Sequence, residues 1–300
     1  MSLLVVGSIA YDNLETPYGK RRNILGGSAV YFSYSACLFS PVRLVGVVGN
    51  DFSFDKELES MKARRIDMQG LRVAEGKTFT WTGRYDGDMS RAETLNVELG
   101  VFGKFQPEIP LPYRDSRYVF LANGSPKTQK KVLDQIRKPK LVVADTMNFW
   151  ITNEKKALLR LIENIDGLIV NSDEVKQLTG MHHLIKGAQE ILKWGPRMLI
   201  IKKGEHGALL VTKNNFFAIA GYPVEVVRDP TGAGDSFAGG MMGYLAGTDD
   251  LSITNLKKSL LYGNVVASFT IEDFGVERLK QISPAKIAYR YKQLLKMISL

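Results

Sequence analysis

Residues 228–247 read RDPTGAGDSFAGGMMGYLAG, with three small residues between two acids at the head of an apolar run. Gly232, Ala233 and Gly234 carry nothing larger than a methyl group, so consecutive main-chain amides can approach an anion. A helix starting there adds the positive end of its dipole to that attraction. Asp235 then stands beside the anion, a poor place for an unneeded negative charge. It makes chemical sense as a base that takes the proton of a hydroxyl attacking the anion. The plainer alternative is an Asp that caps the helix, with glycines serving a tight turn or close helix packing. Two familiar phosphate loops are excluded. G-x-x-x-x-G-K-[ST] is absent from the chain, and G-x-G-x-x-G fails because Phe237 holds its third glycine position.

Asn171 and Glu174, in NSDE, stand three residues apart where a strand runs into a helix, so both can face one side. One carboxylate suffices for Mg2+, which keeps several waters. A capping Asn followed by a helix-surface Glu has the same spacing. Asp12 follows the first strand and either grips a ligand or simply ends the strand. Lys203 and Gly204, in KKGEHGALL, lie at a strand–glycine turn, beside a ligand or on the surface. Asp145 and Asn148, in DTMNFW, either reach the same cleft or cap the next helix. His182, His183 and His206 have no metal-ligand spacing with one another, with Cys or with an acid. The single cysteine, Cys37, reads as a buried thiol in VYFSYSACLF. It rules out an internal disulfide and fits a reducing, cytoplasmic setting.

These residues need a frame, and the frame is periodic. Continuous apolar runs at 3–9, 42–51, 117–123, 140–145, 166–171, 197–204 and 207–212 are strand candidates. Helical stretches such as SPKTQKKVLDQIRK, TNEKKALLRLIENI and LIKGAQEILKWG separate most of them. The rhythm predicts an α/β fold: a doubly wound, mostly parallel sheet sandwiched by helices, in a single domain over residues 1–300. VEVV at 224–227 reads as a strand, and the helix after it as running from Asp235 to about Ala246. Between Met68 and about Phe105 the pattern changes to Thr alternating with aromatic residues. That predicts short antiparallel strands, either a small β-sheet lid inserted roughly at 12–20 and 68–105 or an edge hairpin.

Composition bounds the partners. With 45% hydrophobic and 24% charged residues, the 300-residue chain has ample material for a core. Forty basic against 31 acidic residues leave a net charge of +9, which favours anions. The only basic clusters are short, such as Lys20-Arg21-Arg22 and Lys202-Lys203, so most of the charge reads as a solvated basic surface and no nucleic-acid partner is expected, while phosphorylated small molecules stay compatible with it. No apolar stretch is long enough to span a bilayer and MSLLVVGSIA has no basic start, so neither a membrane nor a signal peptide is expected.

The combination resembles the ribokinase-like (PfkB) family of carbohydrate and nucleoside kinases over nearly the whole chain. DPTGAGDSF is similar to the family's C-terminal signature, GGSAVYFS to its N-terminal glycine pair, and VGVVGNDF to its next strand and turn. NSDE is similar to its N-x-x-E motif, KKGEHGALL to its strand–glycine turn beside the nucleotide, and GNVVA at 263–267 to the helix bordering adenine. The resemblance implies ATP as donor, Asp235 as general base and the amides of Gly232, Ala233 and Gly234 as an anion hole. It implies Mg2+ held largely through water by Asn171 and Glu174. Asp12, with the backbone at Gly26 and Gly27, would bind substrate hydroxyls. Thr231, Lys203, Gly204 and Asn264 would follow the nucleotide. Asp229 would orient the loop or carry cation contacts, and a monovalent cation is a further expected cofactor.

The acceptor that the resemblance implies is a hydroxymethyl group of a sugar or sugar-like molecule. Tyr31 departs from the pattern, standing where many sugar kinases of the family have Asn. Its ring would narrow the pocket or stack on a substrate ring. A nucleoside is the near alternative, with Phe79, Trp81 and Tyr85 available to stack on a base. A sugar phosphate, met by Lys77, Arg84 or Arg91, comes third. A non-catalytic binding or regulatory relative is the alternative of another class, and an acid kept beside a bound phosphate speaks against it. Family members that dimerise through the lid make a homodimer an expected arrangement.

Overall fold

Leu3, Leu4, Val5 and Val6 form β1 (Leu3–Val6) and are buried on both faces, Leu3 and Val5 in one apolar cluster, Leu4 and Val6 in another. Such a strand belongs inside a parallel sheet covered on both sides. The computed structural model, which describes residues 2–298, places it there. β1 pairs in parallel with β4 (Val42–Gly49) on one side and β8 (Tyr118–Leu121) on the other. β5 (Ile66–Ala74) extends the sheet beyond β4, again in parallel. Beyond β8 come β9 (Leu141–Asp145), β10 (Gly167–Asn171) and β11 (Met198–Lys202), all parallel. β12 (Ala208–Thr212) and β13 (Phe216–Ile219) close that edge in antiparallel fashion. The order is β13-β12-β11-β10-β9-β8-β1-β4-β5.

Helices cover both faces. Buried side chains of α1 (Ser28–Ala36), α2 (Phe54–Lys62), α8 (Ala233–Thr248), α9 (Ile253–Thr270), α10 (Glu277–Lys280) and α11 (Pro284–Ile298) join the cluster of Leu3 and Val5. Those of α3 (Pro126–Leu133), α4 (Asn148–Asn153), α5 (Lys155–Ile162), α6 (Ser172–Thr179) and α7 (Leu184–Lys193) join the other. α8 is wedged between α1 and α9. A Cβ on Gly239 would come within 2.4 Å of the Phe32 carbonyl oxygen, and one on Gly240 within 3.0 Å of the Gly263 Cα. The small residues along this helix serve that close packing.

A second, four-stranded sheet has the order β3-β2-β6-β7, from β2 (Ala10–Thr16), β3 (Gly19–Gly26), β6 (Phe79–Tyr85) and β7 (Ala92–Glu98). Its entry from the main sheet is fastened at Asp51, whose Oδ1 accepts from the Thr78 amide at 2.8 Å and hydroxyl at 2.7 Å. Three readings of the sequence need correction. The projecting sheet covers 10–26 and 79–98, whereas residues 66–74 form the edge of the main sheet. An edge strand that is half exposed carries the same alternation as a lid strand, so the pattern could not separate them. VEVV forms no strand: beyond it the Arg228 amide bonds the Ile271 carbonyl at 2.8 Å, not a sheet neighbour. The helix begins at Ala233, two residues earlier than expected, and runs to Thr248.

Candidate active site

Three polar residues end three adjacent parallel strands in one phase. Leu141 and Val143 of β9, Ile169 of β10, and Met198 and Ile200 of β11 all point into the cluster under α8. Two residues further along each strand come Asp145, Asn171 and Lys202, which therefore turn toward the same side at the sheet's carboxyl edge. Lys202 Nζ lies 3.4 Å from Asp145 Oδ1. Lys202 is a residue the sequence reading passed over in favour of its neighbour. Lys203 is exposed, and its amide closes the 203–207 turn on the Gly207 carbonyl at 2.8 Å. Gly204 is exposed in that turn, with φ +58°.

The start of α8 meets this edge. Gly232 is the N-cap, left-handed at φ +73°, and no side chain caps the helix. Its Cα rests on the Tyr31 ring, so an added Cβ would fall 2.3 Å from two ring carbons. Ala233 spends its amide on the Pro230 carbonyl at 3.2 Å. That internal turn narrows the expected three donors to the amides of Gly232 and Gly234, which meet no acceptor among the described residues. Asp229 is fully buried, and its two oxygens accept from the amides of Thr231 at 2.9 Å and Gly275 at 3.0 Å. Both oxygens thus shape the loop. Asp235 opens the first turn of α8 and is raised to about 7, first by burial and then by the Asp145 charge, against the pull of Lys202.

The lid brings the second half of the site. A Cβ on Gly26 would lie 1.9 Å from Asp12 Oδ2, so the glycine makes room for that carboxylate. The Tyr31 hydroxyl donates to the same oxygen at 3.4 Å. Tyr31 is buried and its ring is occupied by Gly232, so it neither stacks on a substrate nor lines open space. Burial raises Asp12 to about 8, with Asp229 and Asp235 adding to it and the Tyr31 hydroxyl opposing. Asp12 pairs with Trp81 across β2 and β6, which puts both side chains on one lid face. Trp81 lies flat over Gly83, where a Cβ would come within 2.2 Å of its ring, and its Nε1 donates to Thr94 Oγ1 at 3.3 Å. Tyr85, four residues after Trp81, meets the loop before α8: its oxygen accepts from the Thr231 hydroxyl at 3.1 Å.

Asn171 and Glu174 form a reciprocal capping box. Asn171 Oδ1 accepts from the Glu174 amide at 2.8 Å, and Glu174 Oε2 accepts from the Asn171 amide at 2.7 Å. Both readings of the pair are therefore compatible, because Glu174 Oε1 is left over for a hydrated ion. The donor set fits Mg2+ bound through water and does not fit direct ligation by both residues. Asp229 is not joined to them, and the described residues contain no group of three or more His, Cys, Asp or Glu able to hold a metal. Asn264 braces the 220–222 segment, accepting from the Tyr222 amide at 3.0 Å and donating to the Ala220 carbonyl at 2.8 Å. Among the described residues no helix is long and apolar enough to cross a membrane.

An uncapped helix start with the half-buried Asp235 in its first turn, and Asp12 on the lid side, suits transfer of an anionic group to a hydroxyl. Known proteins share the arrangement's frame. The model of the pfkB family carbohydrate kinases matches residues 3–281. A cytidine kinase of Thermococcus kodakarensis is 32% identical over 256 residues, covering 82% of this chain and 90% of that protein. The crystal structure of Methanocaldococcus jannaschii nucleoside kinase superposes with a TM-score of 0.79 at 23% identity, over 97% of this chain and 98% of that one. Aminoimidazole riboside kinase from Salmonella enterica, complexed with aminoimidazole riboside and an ATP analogue, gives 0.77 at 18% identity, over 97% and 100%. The chain thus belongs to the PfkB family of carbohydrate kinases, phosphotransferases with a hydroxyl group as acceptor.

Proposed function

We propose that the protein phosphorylates a nucleoside, moving the γ-phosphate of ATP to the hydroxymethyl group of its ribose. The observation that carries the acceptor is Trp81, laid flat on the lid face that also presents Asp12. An indole face is a platform for a base, and stacking on it is worth about 1–3 kcal/mol. The names of the relatives, a cytidine kinase and a nucleoside kinase, point the same way. Asp12 grips the ribose hydroxyls. Asp235 takes the proton of the attacking hydroxyl, and the amides of Gly232 and Gly234 receive the charge that gathers on the phosphoryl oxygens. These donors act because they are fixed before that charge develops. Mg2+, when bound beside Glu174, would neutralise phosphate charge. A free sugar leaves Trp81 unused, which is why the reading moves from the sugar to the nucleoside.

A coupled ADP-release assay over nucleosides, pentoses, hexoses and sugar phosphates tests this. Nucleosides should turn over and free ribose should not. Trp81→Ala should raise the nucleoside KM about 10–100-fold, the loss of one stacked base, and leave ATP binding intact. Faster turnover of a free sugar, or an unchanged nucleoside KM in the variant, would end the reading.

A further inference from the structure

Lys202 has no role in the reaction as derived so far, yet its half-buried side chain lies against the 232–235 loop. It ends β11 in phase with the residues under α8, and its side chain runs along Gly234. A Cβ placed on Gly234 would lie 3.1 Å from Nζ, 3.5 Å from Cδ and 3.7 Å from Cε. The ammonium therefore lies against Gly234, which carries one of the two amides that remain open at the helix start. Among the described residues its one hydrogen-bond partner is Asp145 at 3.4 Å, long for a charge-assisted contact. An ammonium carries three donors, so most of its capacity is unspent.

The charge balance around it is unusual. Asp145, Glu174 and Asp235 all feel Lys202, so three carboxylates share one half-buried cation. Burial alone would lower the Lys202 pKa, but Asp145, Glu174 and Asp235 together hold it above its ordinary value. A triphosphate entering this cleft adds more negative charge and needs a fixed positive partner close to the transferred group. Arg91, paired with Asp173 beside the start of α6, is 82% exposed and bonded to it at 2.6 Å. An exposed pair of that kind contributes little.

We infer that Lys202 is a catalytic residue, its ammonium holding a non-bridging oxygen of the phosphoryl group beside the Gly232 and Gly234 amides. This rests on the kinase reading given above. As the acceptor oxygen bonds to the γ-phosphorus, the bond to the ADP oxygen breaks and its electron pair leaves with ADP. The acceptor proton goes to Asp235, and Lys202 keeps its own proton throughout. Because the γ-phosphate exists only in ATP, Lys202 must distinguish ATP from ADP in the absence of any acceptor.

The test measures ATP and ADP affinity of the wild-type protein, Lys202→Met and Lys202→Arg by calorimetry, beside turnover. The Met variant should bind ATP about tenfold more weakly, as expected for one charge-assisted hydrogen bond, and ADP within about twofold of wild type. Its kcat should fall about 10²–10³-fold, the loss of one fixed donor to the transition state. Lys202→Arg, which keeps the charge, should keep the preference for ATP, and it stands as the readable variant if Lys202→Met does not fold. Equal weakening of ATP and ADP, or an Arg variant without the preference, would make Lys202 a mere counter-ion to Asp145. The binding arm needs no acceptor, so a wrong acceptor assignment leaves it unaffected while the nucleoside panel fails.

Discussion

Two helices begin at the same cleft in opposite ways. α6 starts with a box in which Asn171 and Glu174 satisfy each other's amides. α8 starts at Gly232 with no side-chain cap at all. The first start is closed, and its donors are already used by its own side chains. The second is open, held from beneath by the Tyr31 ring and shaped from behind by Asp229. An N-terminus left uncapped loses about 1 kcal/mol relative to a capped one. The difference teaches that a phosphate-binding start is one the protein leaves unfinished. On the proposed reading it also divides the labour, with anion capture at α8 and support of a hydrated ion at α6.

The largest effect should come from the acid in the open start. Asp235→Asn should lower kcat about 10²–10⁴-fold, the range for a general base, with nucleotide binding kept. The same group sets the acid limb of the pH profile. A base must be ionised, and Asp235 is raised to about 7, so wild-type kcat should fall as pH drops through that value. The stability sign runs the other way. A raised carboxylate favours the fold while it is neutral, and that benefit is lost as pH rises through about 7. Asp235→Asn should therefore melt higher than wild type at pH 8 while turning over more slowly. A lower melting point there would break the assignment of a strained acid.

Gly232→Ala comes next. The methyl group would enter the Tyr31 ring and demand a left-handed backbone from a residue that resists it. Turnover should drop about 10²-fold as the amide moves, and calorimetric ATP affinity should fall with it. If both survive, the open start is not where the phosphate binds. The smallest effect belongs to the closed start. Asn171→Ala should cost about 1 kcal/mol in denaturant unfolding and change ATP affinity by less than about threefold, or roughly 0.7 kcal/mol. A large loss of affinity there would erase the contrast between the two helices.

Much of this was legible in the residues. Runs such as LVVAD and GLIVN have no polar alternation, which called for parallel strands buried on both faces. The loop at 232–235 announced itself by small residues before an acid. Other features depend on which face of a strand meets which helix. Lys202 and Lys203 are neighbours in sequence, and only the knowledge that α8 covers the Met198 and Ile200 face selects the first. The reason for Gly26 was hidden likewise, because the carboxylate it admits belongs to Asp12, fourteen residues earlier along the hairpin. The packing of Tyr31 was hidden on the same ground: its ring meets a main-chain turn from the far end of the chain.

That shared ring sets the evolvability of the enzyme. Tyr31 touches Asp12 with its hydroxyl and Gly232 with its ring, so on the proposed reading a change there disturbs two ligands at once. Trp81 touches only the lid. New acceptor preferences in this scaffold should arise by drift at position 81, with position 31 frozen as the keystone between the two halves.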